Sequence, residues 1–191
     1  MATIFTHPMV AVGLSPWRKP REKFWPILLA GMILTILPDI DVVGFRLGIP
    51  YRHLFGHRGF SHSIFFAIVA SGVVSWLITR NAQLRLLPVW GYLFVCAMSH
   101  GLIDALTDGG YGIAFFSPFS NARYFFPFQP VEVSTLSIKR FFNGQGVAVL
   151  LSELIWLWMP CTIVLLVGLS WRLLRNRGRV DVSDSSIKQD K

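Results

Sequence analysis

The chain has little charge and almost no cysteine. Of its 191 residues only 15% are charged, against 53% hydrophobic, a balance outside the usual range of water-soluble domains. The two cysteines, Cys96 and Cys161, lie far apart inside apolar runs, which excludes a CxxC zinc pair and suggests no disulfide framework. No Lys or Arg precedes Arg18. A secretory signal with a basic start is therefore missing, and the N-terminus is expected to be retained. Acidic residues number 10 against 18 Lys and Arg, a formal charge of +8. The basic residues fall between and after hydrophobic segments and not along one helical face, so they point to membrane topology, and no nucleic-acid binding is expected.

Three long stretches, residues 63–79, 86–103 and 154–171, contain no Asp, Glu, Lys or Arg, and each approaches the roughly 20 apolar residues that a bilayer requires. Residues 24–38 form a shorter run that reaches a usable length if Asp39 and Asp41 sit at its far end, shielded by protein. Residues 3–14 are apolar but short, and read as a half-inserted helix ending before Ser15-Pro16. The expected fold is all-α: a polytopic helical membrane protein with about four spans plus a short N-terminal half-helix. Residues 1–179 form one membrane domain, and the polar residues 180–191 form a disordered cytoplasmic tail.

Basic clusters at Arg18, Lys19, Arg21 and Lys23, at Arg80 and Arg85, and at Arg172, Arg175, Arg177 and Arg179 fall on one side when the spans alternate. The positive-inside rule makes that side cytoplasmic. Asp39 and Asp41, His57 and His62, His100, Asp104 and Asp108, and His7 then all fall on the other side. All five histidines of the chain, counting His53, gather there with four of its ten acidic residues.

His100 and Asp104 are four apart, which on a helix puts both side chains on one face, and Asp108 is expected to extend that face by a turn. An imidazole and a carboxylate aimed at one spot suit zinc or manganese, and an open position there can hold an acidified water. In Leu37-Pro38-Asp39-Ile40-Asp41 the two carboxylates follow a proline, either to share a cation or to end a helix as an Asx turn. In His57-Arg58-Gly59-Phe60-Ser61-His62-Ser63 two histidines flank a glycine, and Ser61 or Ser63 is placed to cap the next helix. Arg58 is a candidate to clamp an anionic oxygen or to serve as an interfacial arginine. Arg123, in an aromatic-rich stretch running from Gly109 to Pro130, stands between anion binding and interfacial anchoring. Glu153 is read as tying two helices together.

These residues resemble the YdjM-like family of predicted membrane-bound metal-dependent hydrolases. The likeness runs from Thr6-His7 through Leu37 to Asp41, Gly56 to Ser63 and Ser99 to Asp104, into the Pro118 to Phe128 stretch. It implies a helical protein of a bacterial inner membrane with a divalent-metal hydrolytic centre. A more distant likeness, in ligand order only, is to zinc-dependent phospholipase C and its nuclease relatives. Those enzymes add a second helical pair, whereas no histidine follows His100 here, so one or two ions are expected.

The expected metal ligands are His7, Asp39, Asp41, His57, His62, His100 and Asp104, with zinc or manganese as the cofactor. One of Asp39, Asp41 or Asp108 would orient or deprotonate a water, and Arg58 or Arg123 would stabilise negative charge. The expected substrate is a phosphoester of a lipid or other amphiphile, reached from the non-cytoplasmic side. Two other classes stand beside this one: a non-enzymatic membrane protein with a structural metal or polar cluster, and an ion or proton carrier.

Overall fold

Apolar runs in lipid must satisfy every backbone N–H and C=O within the chain, and helices do this segment by segment. A computed structural model describes residues 2–17, 23–134 and 146–189, with side chains to residue 176. Its elements are helical: α1 (Pro8–Leu14), α2 (Phe24–Ile36), α3 (Val43–Arg46), α4 (Ile64–Thr79), α5 (Leu86–Ala105), α6 (Gly146–Glu153) and α7 (Met159–Gln189). Among the described residues three stretches are long and apolar enough to cross a membrane: Phe24–Arg46, Leu86–Ala105 and Gly146–Asn176. The fourth apolar helix, α4, has 16 residues and so spans about 24 Å at 1.5 Å per residue, short of a hydrocarbon core of about 30 Å.

The core lies where α2, α4 and α5 meet, around Ile27, Leu34, Ala67, Leu93 and Cys96. On the buried face of α4, Ser71, Ser75 and Thr79 each donate their hydroxyl to the carbonyl four residues back. Small residues there need no outside partner and let the helices approach. Helix α1 begins at Pro8, whose missing N–H is no loss in a first turn, and passes into a 3-10 turn at Ser15–Trp17. It sits close against α7: a Cβ on Gly13 would lie 2.9 Å from the Cys161 carbonyl oxygen.

Helices α6 and α7 are joined by a π-turn at Leu154–Trp158, just before Pro160, which has no N–H for the regular ladder. The α7 backbone stays helical through Gln189, across the tail read from composition as disordered. Extending an existing helix is far easier than nucleating one.

Between α5 and α6 the described chain forms a folded loop. Bridges between Thr107 and Val131 and between Ile113 and Tyr124 pin it across one end of the bundle. Phe119 and Phe128 project from it, exposed, as aromatics of a membrane interface do.

Candidate metal centre

The site is assembled from four helix ends. Pro38 opens a 3-10 turn, Leu37–Val42, at the end of α2. With about three residues per turn, positions two apart point in different directions. Asp39 and Asp41 accordingly separate, Asp39 toward His100 and Asp41 toward the His57 loop.

Gly56 and Gly59 let that loop fold flat on the preceding chain. A Cβ at Gly56 would fall 2.3 Å from the Pro50 carbonyl oxygen, and one at Gly59 would fall 2.3 Å from that of Leu54. Arg58, between them, takes a left-handed φ of 62°, unfavourable for a residue with a Cβ. Its side chain is buried, giving one Nη to the Gly109 carbonyl and the other to the Thr107 hydroxyl, with Nε 3.3 Å from Asp104 Oδ2. Ser63 caps α4 by accepting from the Phe66 amide, whereas Ser61 donates to Asp41.

The inner group comprises Asp39, His62, His100 and Asp104, with one donor atom from each within 4.8 Å of the others. His100 Nδ1 lies 2.7 Å from the Thr35 carbonyl oxygen. A carbonyl only accepts, so Nδ1 carries the proton and Nε2 turns a lone pair to the centre. His62 Nδ1 lies 3.1 Å from Asp41 Oδ2, which holds that ring the same way. The two Nε2 atoms face each other at 3.0 Å. Asp39 Oδ1 is 3.3 Å from His100 Nε2, and Asp104 Oδ2 is 3.7 Å from His62 Nε2. Donors about 2.0–2.1 Å from one zinc ion lie about 3–4 Å apart, so the spacing fits.

Both Asp39 oxygens are buried without a hydrogen-bond donor, whereas Asp104 Oδ2 has the Arg58 guanidinium 3.3 Å away as an ion-pair partner. Buried carboxylate oxygens without donors are costly, and a bound cation would satisfy Asp39. Burial opposes charge on His62, but Asp104, Asp39 and Asp41 outweigh it and raise that imidazole to about 10. A proton on Nε2 therefore bridges the two histidines when no cation is bound. It leaves the carboxylate oxygens of Asp39 unsatisfied.

An outer layer holds this group in place. Asp41 lies 2.6 Å from His57 Nδ1 and accepts from the Arg58 amide and the Ser61 hydroxyl. Asp41, His57 and His62 also lie within metal-binding reach of one another, with Asp41 Oδ2 taken up by several donors and Oδ1 on His57 alone, an arrangement that orients both rings. His7 is fully buried and stacks on His100 with centroids 4.0 Å apart. Burial and then the neighbouring His100 push its imidazole down to about 3, so it is neutral. Its Nε2 is 3.9 Å from Asp104 Oδ1, beside the inner group and not in it.

The remaining candidates stand elsewhere. Asp108 does not extend the His100–Asp104 face: α5 ends at Ala105, and Thr107 turns back to bond the Asp104 carbonyl through both amide and hydroxyl. Asp108 instead accepts from the Val133 amide. Arg123 donates to the carbonyls of His57, Arg58, Gly112 and Tyr51, so it knits the loops together. His53 is exposed, and its ring accepts from the Phe55 amide.

Sequence reasoning missed the part played by residues 2–6. The Ala2 amide donates to Asp104, while Thr3 and Thr6 bond the buried Glu153. Glu153 thus ties the N-terminal segment to the last span. No spacing signal marks Ala2, nor the Thr35 carbonyl that sets the His100 tautomer.

Fold and site together define a polytopic helical membrane protein with a buried His/Asp cluster at one end of its helices, able to hold a metal ion. The chain belongs to the YdjM inner membrane protein family, whose model matches residues 1–177. It is 38% identical over 176 residues to the inner membrane protein YbcI of Escherichia coli, covering 90% of this chain and 98% of that protein. It is also 36% identical over 100 residues to the inner membrane protein YdjM of Escherichia coli and to that of Shigella flexneri, in each case 46% of this chain and 47% of the relative. No solved structure matches.

Proposed function

We infer that this chain is a metal-dependent hydrolase of the inner membrane, with Asp39, His62, His100 and Asp104 holding one divalent cation, zinc or manganese. The observation that carries the reading is the pair of buried Asp39 oxygens without donors beside two facing imidazole nitrogens. A divalent ion bound there supplies charge stabilisation and an acidified water. Asp39 is the most accessible of the four, with 9% of its surface exposed, so substrate approaches from its side. Asp41 holds the Nδ1 proton of His57, which leaves that ring's Nε2 free to accept or return a proton at the rim. Arg58 and Arg123, engaged on protein groups, order the loops around the site. The phosphoester class rests on the distant likeness in ligand order. The positive-inside distribution of the basic clusters supports a site on the non-cytoplasmic face.

One observation favours a second reading, a structural ion that only ties helices together: His100 and Asp104 have no exposed surface. Metal analysis of detergent-purified protein separates the two when paired with assay of a chromogenic phosphodiester. Hydrolysis that follows metal content and is lost in His100→Ala supports the enzyme. Bound metal that resists chelation until the protein unfolds, with no hydrolysis, supports the structural ion. A folded protein that neither holds nor rebinds metal defeats both. Reporter fusions after Arg85 and Arg177 test the orientation, since both should report the cytoplasm.

A further inference from the structure

At the other end of the helices from the His/Asp cluster, α1, its 3-10 turn, α2 and the start of α5 enclose a cleft of about 500 Å³, within the size range of small-molecule sites. Its existence follows from the short N-terminal half-helix. Among the described residues, α1 and its turn reach only to Trp17, about halfway across a bilayer at 1.5 Å per residue, and do not cover α2 and α5 beyond that point. Ile27, Val89 and Tyr92 form the floor, and Leu14, Leu84 and Val95 line the sides. The Tyr92 hydroxyl is spent on the Ala11 carbonyl, so the floor asks for an apolar guest. Trp17 closes one rim, its indole held by the Val164 carbonyl.

Among the described lining residues the one charged group is Arg85, exposed at the N-cap of α5. The described ion pairs all belong to the His/Asp cluster, so no described carboxylate neutralises it. About 20 Å of helix separates Arg85 from His100, too far for one small ligand to serve both. An apolar slot opening toward lipid beneath a guanidinium that pairs with no described carboxylate has the chemistry of a phospholipid seat, because arginine pairs with phosphate oxygens at a membrane surface.

We propose that this cleft binds one anionic glycerophospholipid, with an acyl chain along Ile27, Val89 and Val95 and the headgroup phosphate on Arg85. The site is independent of the metal centre. Native mass spectrometry of delipidated protein, given phosphatidylglycerol or phosphatidylcholine with the same chains, tests it. One phosphatidylglycerol should be retained per chain, about fivefold more readily than phosphatidylcholine, as one arginine near an anionic headgroup implies. Arg85→Gln should erase the preference. A Cβ at Gly91 meets nothing within 4 Å, so Gly91→Trp fills the cleft without a backbone clash, and should abolish retention of both lipids with metal content unchanged. Equal retention of the two lipids by wild type overturns the proposal. So does a Gly91→Trp protein that keeps its lipid, displacement by a free fatty acid, or a lipid-free dimer.

Discussion

The Nε2 atoms of His62 and His100 lie 3.0 Å apart, and each ring's Nδ1 is already committed, to Asp41 and to the Thr35 carbonyl respectively. Two lone pairs cannot face each other at that distance without a proton or a cation between them. Both occupants suit the geometry, but they differ in what they do for Asp39 and Asp104. A proton joins the rings alone, whereas a divalent ion also draws in the carboxylate oxygens. The four-residue group is thus built around a choice between two states, and that choice is measurable.

Asp39→Asn should lower stability in chelator and also lose the gain from metal. In the cation-free protein Asp39 lies 3.3 Å from His100 Nε2 and its charge helps hold the proton on His62, so removing that charge should cost about 1–3 kcal/mol. Wild type at a metal concentration 100 times its Kd should gain about 2.7 kcal/mol from binding, and the variant should gain almost none. Thermal unfolding in chelator and in added zinc gives both quantities. A variant still stabilised by zinc as much as wild type would show that Asp39 is not a ligand.

Metal uptake should release a proton. With its imidazole raised to about 10, His62 is charged at pH 7, and its Nε2 proton must leave before that nitrogen can coordinate. Binding therefore weakens as pH falls and strengthens, close to tenfold per pH unit, as pH rises toward about 10. Titration calorimetry in buffers of differing ionisation enthalpy should return close to one proton released per ion. Buffer-independent enthalpies would mean that His62 stays outside the coordination sphere.

Some of this was legible in the residues and some was not. The His100–Asp104 pair follows from helical spacing alone, and the gathering of histidines at one end follows from alternating spans and basic loops. The different parts of Asp39 and Asp41 do not, because two carboxylates two residues apart read alike until a 3-10 turn sends them different ways. Asp108 was misplaced for a related reason: periodicity does not announce where α5 stops, and the stop depends on Thr107 bonding back to Asp104. Arg58 and Arg123 carry no sequence mark of whether they meet a ligand or a carbonyl. The tertiary fold decides that, by closing the loop after α5 over the loop before α4.

Gly59→Ala should abolish metal binding although Gly59 offers no donor. The added Cβ would lie 2.3 Å from the Leu54 carbonyl oxygen and 2.7 Å from that of Gly56, pushing apart the turn that presents His57, Arg58 and His62. A loss of about 1–3 kcal/mol is expected from such overpacking, with helix content by circular dichroism retained. Gly48→Ala is the control. Its φ of 73° is strained for alanine, but nothing lies within 4 Å of the new Cβ, so it should cost about 1 kcal/mol and leave metal content intact.

Asp41→Asn separates the carboxylate that orients the rings from the one that binds. Asp41 faces His57 Nδ1 through Oδ1, while its Oδ2 faces His62 Nδ1 and accepts from the Arg58 amide and the Ser61 hydroxyl, so its charge is spent mainly on orienting the two rings. An asparagine keeps the shape but turns an N–H₂ toward one of these donors, which loosens the His62 tautomer and ring angle. Removal of such a partner typically weakens metal affinity 10–100-fold without eliminating it. Asp41→Asn should therefore still fill at high zinc with an unchanged number of ions per chain, as measured by elemental analysis after equilibrium dialysis. Asp39→Asn should not fill. If instead Asp41→Asn halves the ions bound at saturation, then Asp41, His57 and His62 hold a second ion of their own, and the centre is dinuclear with His62 shared between its two halves.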